Sequence, residues 1–99
     1  MSVSDADIAF ATDLLSPLGG ISTRKMFGGL GIYQAGKMFA LVSSDGRLYI
    51  KTDKAFAADL QAEGADQFHN MPYWSMPEAA LDDPDAALDW ARRSLDVVS

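Results

Sequence analysis

Apolar residues near the start of the chain recur at helical spacing. Ile8, Ala11 and Leu15 lie three or four residues apart, which places them on one face of a helix. Ser4 precedes them and can cap the first turn, because its hydroxyl can accept a hydrogen bond from a backbone N–H group. Pro17 and the two glycines after it end the pattern. This part of the chain therefore predicts one amphipathic helix.

From residue 22 the period of the pattern shortens to two, as expected of strands. The segments predicted as strands are 22–27, 30–34, 37–44 and 47–52. Asp45-Gly46 separates the last two and predicts a type I′ hairpin turn, because both residue types tolerate positive φ angles. Four strands joined by such short connections favour an antiparallel meander.

The second half of the chain returns to helical spacing, with one interruption. Thr52 or Asp53 can cap a second helix that ends at Gly64. Tyr73–Met76 lies between two prolines and predicts a short strand at a sheet edge, where proline costs no ladder hydrogen bond. The acidic segment 82–85, with Pro84 inside it, predicts the start of a last helix that reaches about Val97.

The predicted order is α-β-β-β-β-α-β-α. It indicates one α+β domain over residues 1–99, a two-layer sandwich with helices packed on one face of an antiparallel sheet of about five strands.

The third predicted strand is apolar on both faces. Strict alternation directs Met38, Ala40 and Val42 one way and Phe39 and Leu41 the other. A strand with one face in water should instead alternate with polar residues. We therefore expect a second copy of the chain, or a different protein, to cover the second face at Phe39 and Leu41.

Composition narrows the class of protein. With 99 residues, 48% hydrophobic and 22% charged, the chain is typical of a globular domain. The absence of cysteine excludes disulfides, thiolate nucleophiles and zinc–thiolate sites. The chain has no long apolar run and begins with acidic residues, unlike a secretory signal. We expect a cytoplasmic protein of bacterial type that does not span a membrane.

The charge is negative overall but unevenly distributed. The net charge is −6, which opposes unspecific attraction to nucleic acid. Residues 24–54 nevertheless carry six bases and two acids, a local +4. Alternation places Arg47, Tyr49 and Lys51 on one face of the fourth strand, whereas Arg24 and Lys25 point to opposite faces. These residues either complement acidic helices of the same fold or form a contact surface for a partner.

Glycines at 28, 29 and 31 raise the question of a phosphate-binding loop. The chain lacks the Walker spacing, and Gly29-Leu30-Gly31 leads into another predicted strand rather than into a helix N-terminus. We therefore predict a structural role, a tight connection or bulge, for Gly28, Gly29 and Gly31. We also predict structural roles for Gly46, which lies in the predicted hairpin turn, and for Pro77, which flanks the predicted edge strand.

No arrangement of residues predicts catalysis, a metal site or a cofactor. His69 is the single histidine, and Asp82, Asp83 and Asp85 are explained by helix capping. No serine lies in a G-x-S-x-G or S-x-x-K motif, so we do not predict an enzyme.

The adjacent aromatic residues Tyr73 and Trp74 allow two interpretations. They could stack on nucleic-acid bases, but their nearest charged neighbours, Asp66 and Glu78, are acidic. Anchoring in the core or at a protein interface is the favoured interpretation.

Two stretches together resemble the N-terminal domain of the TfoX (Sxy) family of competence regulators. They are RKMFGGLGIYQAGKMFALVSSDGRLYIKTD, residues 24–53, and MPYWSMPEAALDDPDAALDWARRSL, residues 71–95. The residues that match the motifs are 24–29 together with Tyr73, Pro77 and Glu78.

The resemblance implies a two-layer fold with an antiparallel sheet and a regulatory or interaction role without catalytic residues. The longer members promote expression of DNA-uptake genes together with a cyclic-AMP-responsive activator. Those members carry a further C-terminal domain, so we expect this chain to correspond to a stand-alone N-terminal domain.

Three hypotheses about function remain at this point. The leading one is a non-enzymatic regulatory or protein-interaction module that forms a homodimer. The second is direct nucleic-acid binding through the basic strip on the sheet. The third is a small-ligand domain with a pocket between the sheet and the helices.

Overall fold

Five strands and four α-helices make up the part of the chain that the computed structural model describes, residues 2–99. The elements are α1 (Asp5–Leu15), β1 (Ile21–Met26), β2 (Gly29–Gln34), β3 (Lys37–Val42), β4 (Leu48–Lys51), α2 (Lys54–Ala62), β5 (Tyr73–Ser75), α3 (Glu78–Leu81) and α4 (Pro84–Val98). The one-turn helix α3 was not expected from the sequence; it begins directly after Pro77, whose backbone caps it.

Side-chain caps determine where the long helices begin. Ser4 accepts a hydrogen bond from the N–H group of Asp7 at 3.1 Å, and Asp53 accepts one from Phe56 at 2.8 Å. Asp83 caps α4 in the same way. Each cap satisfies one of the N–H groups that have no partner inside a helix. The three helix starts agree with those predicted.

The sheet is an antiparallel meander in the order β1-β2-β3-β4-β5. The strand β5 pairs with β4 and lies at one edge, as predicted, and β1 forms the other edge. The helices cover one face, with α4 packed over β3 and β4. The predicted α+β sandwich, with five antiparallel strands, is confirmed.

A β-bulge in β3 changes which residues face the helices. Ile32 of β2 pairs with Ala40, but the next residue, Tyr33, pairs with Met38. Phe39 is therefore the extra residue of the bulge. Phe39 and Ala40 both belong to the core beneath the helices, and Phe39 is 0% exposed.

The strict alternation predicted for this strand is therefore wrong. Phe39 fills the core and is not a contact residue, whereas Met38 and Leu41 share the opposite face of the sheet. The strand is apolar throughout because the bulge adds one apolar residue to the helix side.

The hairpin turn at Asp45-Gly46 also differs from the prediction. The N–H of Gly46 donates to the carbonyl of Ser43 at 2.9 Å, and the N–H of Ser43 donates to the carbonyl of Arg47 at 2.9 Å. Gly46 has a φ of 91°, but Asp45 is outside the positive region. The connection is a three-residue loop with glycine in the left-handed position, not a type I′ turn.

Two-residue turns with positive φ at both central positions occur instead at Phe27-Gly28 and Ala35-Gly36. These are the features of type I′ turns, whose twist matches that of the flanking strands. Phe27-Gly28 is therefore the hairpin connection, whereas Gly29 and Gly31 lie inside β2.

Candidate functional site

The sheet face opposite the helices, here called the outer face, carries the candidate site. The pairing of Arg24 with Gly31 and of Tyr49 with Ser75 places these residues on that face. Apolar outer-face residues form a second cluster, separate from the main core: Met38, Leu41, Tyr49, Phe68 and Tyr73.

A loop formed by residues 65–72 packs over part of the outer face. Its Phe68 ring lies 4.8 Å from the ring of Tyr49, centroid to centroid. The backbone N–H of Phe68 donates to the carbonyl of Tyr73 at 2.8 Å. The chain itself therefore provides part of the cover that the sequence assigned to a partner.

An open groove remains between this loop and the turn that joins β1 to β2. Its volume is about 490 Å³, within the range of small-molecule and peptide sites. The side chains that define this outer-face groove are Met26, Phe27, Met38, Leu41, Phe68 and Met71. His69 and the hydroxyl residues Ser43 and Ser44 add the polar groups of its border.

Two glycines of β2 lie where the structure leaves little or no room for a side chain. A Cβ atom on Gly29 would overlap the backbone carbonyl oxygen of Val42, so no side chain fits there. A Cβ on Gly31 would lie 2.9 Å from Met38 Sδ and 3.1 Å from the Tyr33 ring. Gly29 lines the groove directly, and Gly31 lies against the Met38 side chain that lines it.

Two bulky residues beside the groove have strained backbone. Phe27 has a φ of 49° and His69 a φ of 54°, in a region that residues with large side chains rarely adopt. Phe27 is 100% exposed. The turn is nevertheless anchored, because the carbonyl of Gly28 accepts a hydrogen bond from the Val3 N–H at 2.6 Å.

Methionine contributes much of the groove surface. Met26, Met38 and Met71 come from β1, β3 and the 65–72 loop, and Met71 is 44% exposed. The flexible thioether side chain adapts its shape to different partners. Methionine side chains are common at surfaces that bind more than one partner.

The basic residues proposed as a contact strip point to the predicted faces of the sheet, but one of them is already engaged in an ion pair. Arg47 and Lys51 share the outer face, and Arg24 and Lys25 point to opposite faces, with Arg24 on the outer one. Arg47, however, forms an ion pair with Asp66 at 2.9 Å. That hydrogen bond raises the pKa of Arg47 above its usual value.

Lys51 also has a local partner. Its Nζ atom lies 5.2 Å from the ring centroid of Tyr73, a cation–π contact. Arg24 lies on the edge strand β1, three strands away from Lys51. The outer face therefore does not present one continuous strip of unpaired bases that could follow a phosphate backbone.

Tyr73 and Trp74 do not act as a pair. Tyr73 is buried in the outer-face cluster, where burial raises the pKa of its hydroxyl. Trp74 points to the other side and packs, half buried, against the main core. Leu41 and Tyr49 share the outer cluster with Tyr73, so three of the predicted contact residues do lie together.

Several residues that define the groove were not singled out from the sequence, namely Phe27, His69 and Met71. Phe27 was placed at the end of a strand, and a Phe-Gly pair is not a usual type I′ signal. The position of Met71 depends on how the 65–72 loop folds back over the sheet. The one available signal in the sequence was the pair Pro72 and Pro77, which indicates irregular backbone next to the predicted edge strand.

Among residues 2–99, no group of three or more His, Cys, Asp or Glu side chains is placed to hold a metal ion. None of the described helices has both the length and the apolar character needed to cross a membrane.

Comparison with known proteins agrees with the two sequence landmarks. No curated protein shows significant similarity to the chain. The family model described as the TfoX N-terminal domain matches residues 13–98, which include every strand of the sheet and the residues of the outer-face groove. The chain therefore belongs to the TfoX N-terminal domain family.

Proposed function

We infer that the chain is a non-catalytic, regulator-like domain that acts by binding protein through the outer-face groove. Family membership supports a regulatory role, because the family takes its name from a competence regulator. Control of gene expression through a protein contact is the function we propose.

The groove is the observation that carries this proposal. It is apolar and open, and fully exposed Phe27 stands at its border. Of the large apolar side chains that the structure describes, Phe10, Phe27 and Met71 are exposed, and two of these three border the groove. Residues held in strained backbone conformations also cluster at functional sites, and Phe27 and His69 both border this groove.

The polar groups at the groove favour binding over catalysis. Acid–base chemistry requires titratable groups that converge on one point. The border of the groove contributes a single imidazole, that of His69, together with two serines. These groups can donate hydrogen bonds to the backbone of a bound segment or accept them from it.

Photo-crosslinking in the host cell tests the proposal. A photoreactive amino acid replaces Met71 in the groove, and the control places it at Gln61, exposed on α2. We expect discrete protein adducts from position 71 and none of the same size from position 61. Adducts to nucleic acid, or an identical adduct pattern from both positions, would contradict the proposal.

A small apolar ligand is the second candidate, because the volume of about 490 Å³ suits such a molecule. The groove lies on the face away from the helices, not between sheet and helices as the sequence hypothesis placed it. A metabolite that raises the melting temperature of the chain, but not that of Met71→Asp, would favour this candidate.

A further inference from the structure

We propose that the outer-face groove receives the Phe27 side chain of a second copy of the chain, and that two chains exchange these side chains reciprocally. This inference rests on the proposed function and makes it more specific, since it identifies the protein partner as another copy.

Phe27 has the properties of a preorganised anchor. Its ring is fully exposed, on a two-residue turn whose ends are paired through Met26 and Gly29. The hydrogen bond from Val3 to Gly28 holds the turn against the N-terminal segment. The backbone that presents Phe27 is therefore already ordered, and an aromatic side chain has only two χ angles to fix on binding, so the entropy cost is small.

The groove has the properties of a site for such a ring. Of the described residues that line it, none is Asp, Glu, Lys or Arg. Met38 and Met71 can close around an aromatic ring with favourable sulfur contacts, and Phe68 offers an aromatic neighbour. The floor between these side chains includes Gly29 and Leu41 of the sheet.

The anchor and the groove lie side by side on one chain, because Phe27 itself borders the groove. A two-fold axis beside the turn therefore brings each Phe27 to the groove of the other chain. Such an interface is self-complementary, with the same patch on both subunits. Two aromatic anchors at its centre would supply most of the binding energy.

The charges around the groove favour the same arrangement. Arg24 leads into the Phe27 turn on the outer face and has no ion-pair partner within residues 2–99. At the other end, Asp45 borders a hollow that shares Phe68 and His69 with the groove. Antiparallel overlap of two chains brings each basic end towards the acidic end of its partner.

Sedimentation velocity over a concentration series of the full chain tests the proposal. Phe27→Asn removes the anchor, and Met71→Asp places a charge in the groove. Ala35→Asn is the matched control, because Ala35 has a φ of 51° in the other two-residue turn but lies outside the groove. We expect the natural chain and Ala35→Asn to dimerise equally, and each groove variant to bind itself at least about tenfold more weakly.

Mixing the two groove variants gives the sharper result. The Phe27→Asn chain loses one border residue of its own groove but keeps Met38, Phe68 and Met71, and the Met71→Asp chain keeps an intact Phe27. A mixture should therefore form a one-to-one heterodimer with one intact contact, although each variant alone is monomeric at the same concentration. Failure of the mixture to associate more than either variant alone would overturn the reciprocal exchange.

The outcomes also separate this inference from the proposed function. If the natural chain stays monomeric while position 71 crosslinks to a different protein, the inference is overturned and the proposed function stands. If position 71 gives no protein adduct at all, both the proposed function and this inference are contradicted. If Phe27→Asn dimerises like the natural chain, the inference is overturned even though the chain is a dimer.

Discussion

Phe27 and His69 border the same groove from two different ends, and both have positive φ angles, 49° and 54°. The first lies on the turn between β1 and β2, and the second lies in the loop that folds over β4 and β5. Strain at such positions persists only where the surrounding structure holds it. The hydrogen bond from Val3 to Gly28 serves this purpose at the Phe27 turn.

Phe27→Asn should stabilise the monomer, because it relieves backbone strain at position 27. The same change removes the side chain that we propose as the anchor for the second chain. A side chain with a Cβ atom in the left-handed region costs about 1–2 kcal/mol, and asparagine tolerates this region better than most residues. We expect Phe27→Asn to raise the free energy of unfolding by about 1 kcal/mol. Urea denaturation at a concentration where the chain is monomeric measures this.

Ala35→Asn should give a gain of similar size, since Ala35 has the same type of backbone. A loss of stability in both variants would contradict the assignment of strain to these two turns.

Glycines of β2 should differ sharply in their tolerance of alanine. At Gly29 the added Cβ meets the Val42 carbonyl oxygen, a backbone atom that cannot move without disturbing the β2–β3 ladder. At Gly31 it meets the ends of the Met38 and Tyr33 side chains, which can turn away. We expect Gly29→Ala to cost about 1–3 kcal/mol of unfolding free energy, and Gly31→Ala clearly less.

Denaturant midpoints of the two variants measure the difference. Equal costs would show that β2 lies farther from β3 than the structure places it. Gly31→Ala also displaces the Met38 side chain, which lines the groove, so it should weaken self-association even where it leaves stability nearly unchanged.

Local signals in the sequence account for most of the fold. Helix starts follow from capping residues such as Ser4 and Asp53, whose hydrogen bonds involve only their own first turn. The edge position of β5 follows from its flanking prolines, which cannot donate to a ladder. Hydrophobic spacing, together with short connections, was enough to predict the meander and the helical layer.

The groove depends on features that are not local. The bulge at Phe39 arises from the pairing of β3 with β2, and no residue type in KMFALV indicates that one position is extra. The left-handed backbone of Phe27 is imposed by the hairpin and opposes the preference of the residue itself. The 65–72 loop reaches the outer face through its pairing with β5 and the Arg47–Asp66 contact, which join distant parts of the chain.

The buried hydroxyl of Ser94 should contribute to the attachment of α4 to the sheet. Its Oγ atom donates to the carbonyl of Lys51 at 2.8 Å, and the residue is 0% exposed. Ser94→Ala removes the donor and leaves that carbonyl without this bond, which we expect to cost about 1–3 kcal/mol of unfolding free energy.

Ser99→Ala is the matched control, because Ser99 makes an exposed hydrogen bond to the carbonyl of Asp96 at 3.0 Å. Water can replace that bond, so we expect almost no change in its unfolding free energy. A similar cost for both variants would contradict the burial of the Ser94 contact.

Tyr73 should make the fold sensitive to alkaline pH. Burial, and to a smaller extent the charge of Tyr33, raises the pKa of the Tyr73 hydroxyl above 10.0, so the fold favours the neutral phenol. A group whose pKa is raised on folding contributes stability that is complete below its unfolded pKa and is lost as pH rises through the folded pKa. We therefore expect unfolding free energy to fall above pH 10, and the fall to be smaller in Tyr73→Phe.

Urea denaturation at a series of pH values above and below 10 measures this difference between the natural chain and Tyr73→Phe. Tyr33→Phe removes only the smaller contribution and should retain most of the fall, so it serves as the control. If Tyr73→Phe lost stability with pH as steeply as the natural chain, the hydroxyl of Tyr73 would have to be in water. The 65–72 loop would then not cover the outer face, and the groove beside it would lose one of its walls.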